Sequence, residues 1–268
     1  MRINRQIIFA LIALAILIPL LKPIGFPVHV TKEVQQVYDA IDGLPPGSVI
    51  LVSFDCESAT IPEMYPMALA VLRHSFTKNL KVIGMALISE GTAIGEMALT
   101  QITNEFNKKY GIDYVYLGYR PRMDAAILGL GEDIAGVYPQ DFYGNKTIEL
   151  PMMADIHNYN DIPLVVELAD DSYLISWLQY AGARYHQRIV CGTTAVMATF
   201  FYPFLNSGQI EGLIGGLKGA SEYEKLIDKP EDATIGMDSQ SVAHLLIILF
   251  IGLGNLAYYM GRRKSKKV

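Results

Sequence analysis

The sequence is poor in the residues that usually announce chemistry. It has two cysteines in 268 residues, Cys56 and Cys191, and no CxxC, HExxH or DxDxDG spacing. Zinc-ribbon, zinc-protease and EF-hand motifs are therefore absent. Neither GxGxxG nor GxxxxGK[ST] occurs, so no recognised phosphate-cradling turn is present either. Histidine is limited to His29, His74, His157, His186 and His244. Charge is scarce as well: 18% of residues are charged and the net charge is −5, with eight of the 22 Lys and Arg crowded into the two termini. A chain with this balance lacks the basic footprint of a nucleic-acid binder.

What the sequence has in excess is apolar length. Residues 7–21, IIFALIALAILIPLL, carry no charge and lie between Arg5 and Lys22. Residues 242–260, VAHLLIILFIGLGNLAYYM, run directly into GRRKSKKV. A bilayer core takes about 20 helical residues. The second segment meets this, and the first approaches it if 23–28 continue through the interface. No small-x-small cleavage site follows the first segment, so it reads as an uncleaved anchor rather than a signal peptide. The expectation is a two-pass membrane protein. Arg2 and Arg5 at one end and Arg262, Arg263, Lys264, Lys266 and Lys267 at the other place both termini in the cytoplasm and the central domain outside it. The corresponding domains are 1–28, an N-terminal anchor; 29–236, an α/β domain; and 237–268, a C-terminal membrane helix with a basic tail.

Between the anchors, apolar runs of strand length alternate with helical patterns. VILVSF (49–54), KVIGMALI (81–88), DYVYLGY (113–119), PLVVELA (163–169) and RIVCGTT (188–194) read as strands. Segments 62–79, 93–110, 123–138 and 171–185 read as the helices between them. Alternation of this kind predicts an α/β fold: a mostly parallel, three-layer open sheet of Rossmann-like or flavodoxin-like βαβ units, set between the two transmembrane helices.

In such sheets the ligand crevice lies beyond the carboxyl ends of the strands. That rule selects Asp55 and Glu57 after the first strand, Glu90 after the second, Arg120 and Arg122 after the third, Asp170 and Asp171 after the fourth, and Thr193 in the fifth. Cys56 is a poor nucleophile here, because the flanking acids raise a thiol pKa and only His157 lies in a segment free to reach it. Both cysteines read as buried free thiols. Arg120 and Arg122 suit an anion. Asp55, Glu57, Asp170 and Asp171 suit a hard divalent cation such as Mg²⁺ or Ca²⁺, the one cofactor the residues suggest. Gly208, Gly212, Gly215, Gly216 and Gly219 recur at spacings of three or four, as one helical face for close packing would. Gly252 and Asn255 offer a contact point within the second membrane segment.

No constellation reaches the specificity of a catalytic motif, so the primary expectation is a non-enzymatic structural or interaction subunit of a larger membrane assembly. Its partners would be other membrane subunits or copies of itself, besides the lipid bilayer. Two readings compete with it. One is a membrane-tethered module that binds or senses a small ligand at the strand ends. The other is an acid- or metal-dependent hydrolase using Asp55, Glu57 and Asp170.

Overall fold

The computed structural model describes residues 5–265 and divides into two compact units. One comprises residues 1–27 and 234–268, the other Val28–Ala233. Arg2, Lys266 and Lys267, which enter the charge argument for orientation, lie outside the described residues.

In chain order the elements are α1 (Arg5–Leu21), α2 (Lys32–Asp42), β1 (Val49–Asp55), α3 (Ile61–Thr77), β2 (Lys81–Ala86), α4 (Ser89–Glu105), β3 (Tyr114–Tyr119), α5 (Met123–Leu130) and α6 (Ile134–Val137). Then come β4 (Leu164–Ala169), α7 (Leu174–Trp177), a π-helical turn over Leu178–Gly182, α8 (Ala183–Tyr185), β5 (Ile189–Thr193), α9 (Ala195–Asn206), β6 (Leu213–Gly215), α10 (Gly216–Leu226) and α11 (Asp232–Ser265).

The strands form one six-stranded sheet in the order β3-β2-β1-β4-β5-β6, and every pairing is parallel. The order in which successive strands are added reverses between β1 and β4, first toward β3 and then toward β6, which makes their carboxyl ends the topological switch point. β1 and β4 are buried along their whole length, which explains why they read as nearly unbroken apolar runs. One sheet face packs Ile50, Val52, Phe54, Leu164 and Val166 under α2, α3, α4 and α10. The other packs Leu51, Met85, Val165 and Cys191 under α5, α6, α7 and α9, with Trp177 wholly buried at its centre.

Helix α4 lies against the end of β1 because residue 91 has no side chain. A Cβ built there would stand 1.7 Å from the Phe54 carbonyl oxygen. Helix 123–138 of the sequence reading breaks into α5 and α6 at Gly131, and Asp133 caps α6 by accepting from the Ala135 N–H.

The membrane expectation needs correction. Among the described residues one helix has the length and composition to cross a bilayer, over Asp232–Met260. α1 stops at Leu21 after 17 residues and contains Pro19. At 1.5 Å per residue it covers about 25 Å, short of a hydrocarbon core of about 30 Å. The chain leaves the helix at residue 22, so residues 23–28 do not extend it. Two flanking transmembrane helices, the two-pass topology and the placement of both termini in the cytoplasm therefore fall. The α/β domain is joined to a single helix of spanning length. Within the first unit, the Asp238 carboxylate accepts the backbone N–H groups of Ile24, Gly25 and Phe26 at 2.8, 2.8 and 3.1 Å, a turn that Gly25 makes at φ +73°.

The glycine-rich segment also differs from expectation. Gly208 lies in a turn, Gly212 precedes β6, Gly215 ends it, and Gly216 and Gly219 belong to α10. They do not share a helical face. Gly212 instead admits the α2 backbone, where an added Cβ would meet the Val37 nitrogen at 2.5 Å.

Candidate functional site

Side chains alternate along a strand, so Ser53 and Asp55 of β1 point to the same face as Glu167 of β4 and as Cys191 and Thr193 of β5. Register places Ser53, Glu167 and Cys191 in one row across the sheet, and Asp55, Ala169 and Thr193 in the next. All of these residues are buried, and Asp55 and Glu167 have no exposed surface. Two carboxyl groups thus sit inside the protein at the switch point.

Asp55 is held as an acceptor. Its Oδ1 receives the Leu87 N–H at 2.5 Å and its Oδ2 receives the Ser53 hydroxyl at 2.6 Å. Burial still raises its pKa, against the lowering effect of these donors. Glu167 is pushed well above the usual carboxylate range, first by burial and then by the charge of Asp55. Neither Glu167 oxygen receives a hydrogen bond. Burial thus raises both carboxyl pKa values, and it does so most for Glu167, which lacks the donors that stabilise the Asp55 carboxylate.

Other buried polar atoms near this pair are also unpartnered: Tyr138 Oη, Trp177 Nε1 and Thr193 Oγ1. The Trp177 indole N–H makes no hydrogen bond of good geometry, yet it lies close enough to Asp55 to favour the anion. The Tyr138 hydroxyl feels the charges of both Asp55 and Arg120, and the Arg120 guanidinium stands 5.8 Å from the centre of its ring.

The outer rim is built differently. Asp170 Oδ2 accepts the Glu57 N–H and the Thr60 hydroxyl, each at 2.6 Å. Glu90 Oε2 accepts both the N–H and the hydroxyl of Ser58 at 2.8 Å. The loop after β1, which cradles phosphate in dinucleotide-binding sheets, here spends its donors on the protein's own carboxylates. Asp171 bonds its neighbour's N–H at Ser172. Arg122 takes a left-handed conformation, φ +63°, at the start of α5. Of the residues selected from sequence, Asp55 and Thr193 lie in the buried rows, whereas Glu57, Glu90, Arg120, Arg122, Asp170 and Asp171 form the rim.

Cys56 is buried and unbridged, as is Cys191, and burial with the charges of Asp170 and Asp55 drives its thiol pKa far up. His157 sits among the turns near the strand amino ends, with its N–H on Asp161, and is no base for Cys56. His74 is buried between Tyr38, stacked at 4.4 Å, and Tyr223, whose hydroxyl lies 2.7 Å from Nδ1. Among the described residues no group of three or more His, Cys, Asp or Glu could hold a metal ion. The divalent-cation site and the metal-dependent form of the hydrolase reading thus find no support among the described residues. A groove at the opposite, amino-terminal sheet edge is lined by Gly47, Ser48, Lys81, Asp155 and Asp161. Asp161 is already engaged there with two backbone N–H groups, of His157 and Asn158.

Sequence reasoning missed Ser53, Tyr138, Glu167 and Trp177. Glu167 had a signal, as the one charged residue inside the apolar run LVVELA. Tyr138 and Trp177 had none, since their convergence depends on how α6 and α7 pack. No protein-family model matches the chain, and no curated protein matches its sequence.

Proposed function

We propose that this protein is a single-pass, membrane-tethered α/β module that binds a small ligand at the carboxyl ends of β1 and β4. The unpartnered buried polar atoms around Asp55 carry this reading. A buried polar group without a partner costs roughly 1–3 kcal/mol. Tyr138 Oη and Thr193 Oγ1 bear that cost within one region, where Trp177 Nε1 and the Glu167 carboxyl also lack a hydrogen bond of good geometry. Such a concentration at the switch point of a doubly wound sheet is the chemistry of a site that is completed on binding.

The test is a thermal-shift screen of the full chain in detergent micelles against a chemically diverse set of small metabolites, with Tyr138→Phe and Thr193→Val beside the parent. A ligand that raises the melting temperature of the parent should lose its effect in both variants. Without ligand, both variants should be at least as stable as the parent, because each removes an unpaired hydroxyl. Variants that are less stable without ligand would mean that the hydroxyls serve the fold, and would end the proposal, as would a screen with no ligand dependent on either residue.

A further inference from the structure

The carboxyl edge of the sheet carries two electrically opposite groups of side chains. At the ends of β1 and β4 stand Glu57, Asp170 and Asp171 above the buried Asp55. Glu57 and Asp171 are exposed, and the Glu57 carboxylate has no hydrogen-bond partner among the described residues. Tyr173, half-buried, lies within electrostatic reach of all four carboxylates. At the end of β3 stand Arg120 and Arg122. Neither makes an ion pair among the described residues, although five carboxylates share the same sheet edge. Tyr138 links the two groups: its ring lies under Arg120, its hydroxyl is buried and unpartnered, and it feels Asp55.

Strand order explains why the two groups do not neutralise each other. β3 and β4 are separated by β2 and β1, three strand spacings, or roughly 14 Å. That separation sets the length a ligand would need in order to meet both charges. A purely anionic ligand would meet the acidic side chains unfavourably, and the donors of the β1 loop are already taken by Asp170 and Glu90. A purely cationic one would leave the two arginines unmatched. The aromatic ring of Tyr173 among carboxylates suits an ammonium group, and a guanidinium pair suits a carboxylate.

We infer that the ligand is a small dipolar molecule, bearing an ammonium group bound by Asp171, Glu57 and Tyr173 and an acid group bound by Arg120 and Arg122. This rests on the binding reading above and specifies its substrate class.

The experiment is isothermal titration of the full chain in micelles at neutral pH with three matched probe series of graded length: α,ω-amino acids, the corresponding alkylamines and the corresponding carboxylic acids. The amino acids of one favoured length should bind, and neither parent series should reach their affinity within about tenfold. Asp171→Asn should weaken the amino acids by about tenfold while leaving their dependence on acid-group esterification intact. Arg120→Gln should abolish that dependence. Asp171 is exposed and Arg120 half-buried over the Tyr138 ring, so circular dichroism of each variant checks that it is folded. Alkylamines binding as well as the amino acids, or carboxylic acids doing so, would overturn the dipolar assignment while leaving the site itself in place. No binding in any series would also overturn it, and the metabolite screen on Tyr138→Phe then decides separately whether the site binds anything.

Discussion

Asp55 and Glu167 are wholly buried on the same face of neighbouring parallel strands, two residues out of register. Asp55 collects the available donors, Ser53 and Leu87, and leaves Glu167 with none. The environment thereby treats two chemically similar groups differently: burial raises the pKa of both, and only Asp55 has donors that oppose the rise.

This division has a pH signature. The pKa of Glu167 is raised in the folded state, so the native protein holds a proton that the unfolded chain releases above about pH 4.3. Stability falls with pH wherever the native state binds more protons. The contribution of Glu167 is thus complete below the unfolded pKa and declines as pH rises toward the folded one. Glu167→Gln removes the titration while keeping the shape and a donor for Asp55. Its melting temperature should match the parent near pH 4.5 and exceed it increasingly toward pH 8. Thermal unfolding across that range checks this, and parallel curves would mean that Glu167 does not titrate abnormally.

The rim carboxylates have a different task, and it can be separated from binding. Asp170 fixes the loop after β1 through the Glu57 N–H and the Thr60 hydroxyl. Asp170→Ala should destabilise the protein by about 1–3 kcal/mol and speed amide exchange at residues 57–60, with β4 itself unchanged. Hydrogen-exchange mass spectrometry resolves the two regions. Uniform acceleration throughout the domain would contradict a local role.

Gly91 sets how closely α4 meets the sheet. Its absent Cβ would lie 1.7 Å from the Phe54 carbonyl oxygen, which is backbone and cannot swing aside. Gly91→Ala should cost about 3 kcal/mol or more, in the upper range for single substitutions, and lower soluble yield. Gly144→Ala is the contrast for a turn glycine: there the added methyl meets nothing, and the cost comes only from its φ of +85°. Denaturant melts of the two variants should differ clearly, with Gly91→Ala the weaker.

The proposed attachment to a membrane rests on one helix among the described residues, Asp232–Met260. Removing residues 237–268 should release the protein from membranes under alkaline carbonate, even with α1 present. Removing residues 1–27 should leave it in the membrane pellet. Retention after the first truncation would show that α1 suffices as an anchor.

Much of this architecture was legible because buried parallel strands carry a composition signal. VILVSF, KVIGMALI and PLVVELA could pack only between two helical layers, and their spacing required crossover helices. The switch point at β1 and β4 was not legible, because strand order depends on which crossover takes which face. β6 escaped notice because three residues, Leu213–Gly215, are too few to show alternation and lie in a run of glycines that mimics helical spacing. α1 was read as a span because composition reports apolarity, whereas spanning requires helix length, and the helix ends at Leu21. In the candidate site, Asp55 was found by its place at a strand end. Tyr138 and Trp177 approach it from elements 83 and 122 residues away in the chain, and no local pattern encodes that meeting.

The cysteine beside Asp55 supplies a last test of the acidic interior. Cys56 is 2% exposed, and its thiol is held protonated by burial and by the neighbouring Asp170 and Asp55. Alkylation proceeds through the thiolate, so both barriers act together. At pH 7.5 the native protein should react with iodoacetamide at neither cysteine over a period in which the urea-unfolded chain reacts at both. Ser is close to Cys in size, so Cys56→Ser should fold and keep any ligand response. A Cys56 that alkylates readily in the native state would place it on an open surface of the crevice, and would require a more accessible route to Asp55 than the packed rows allow.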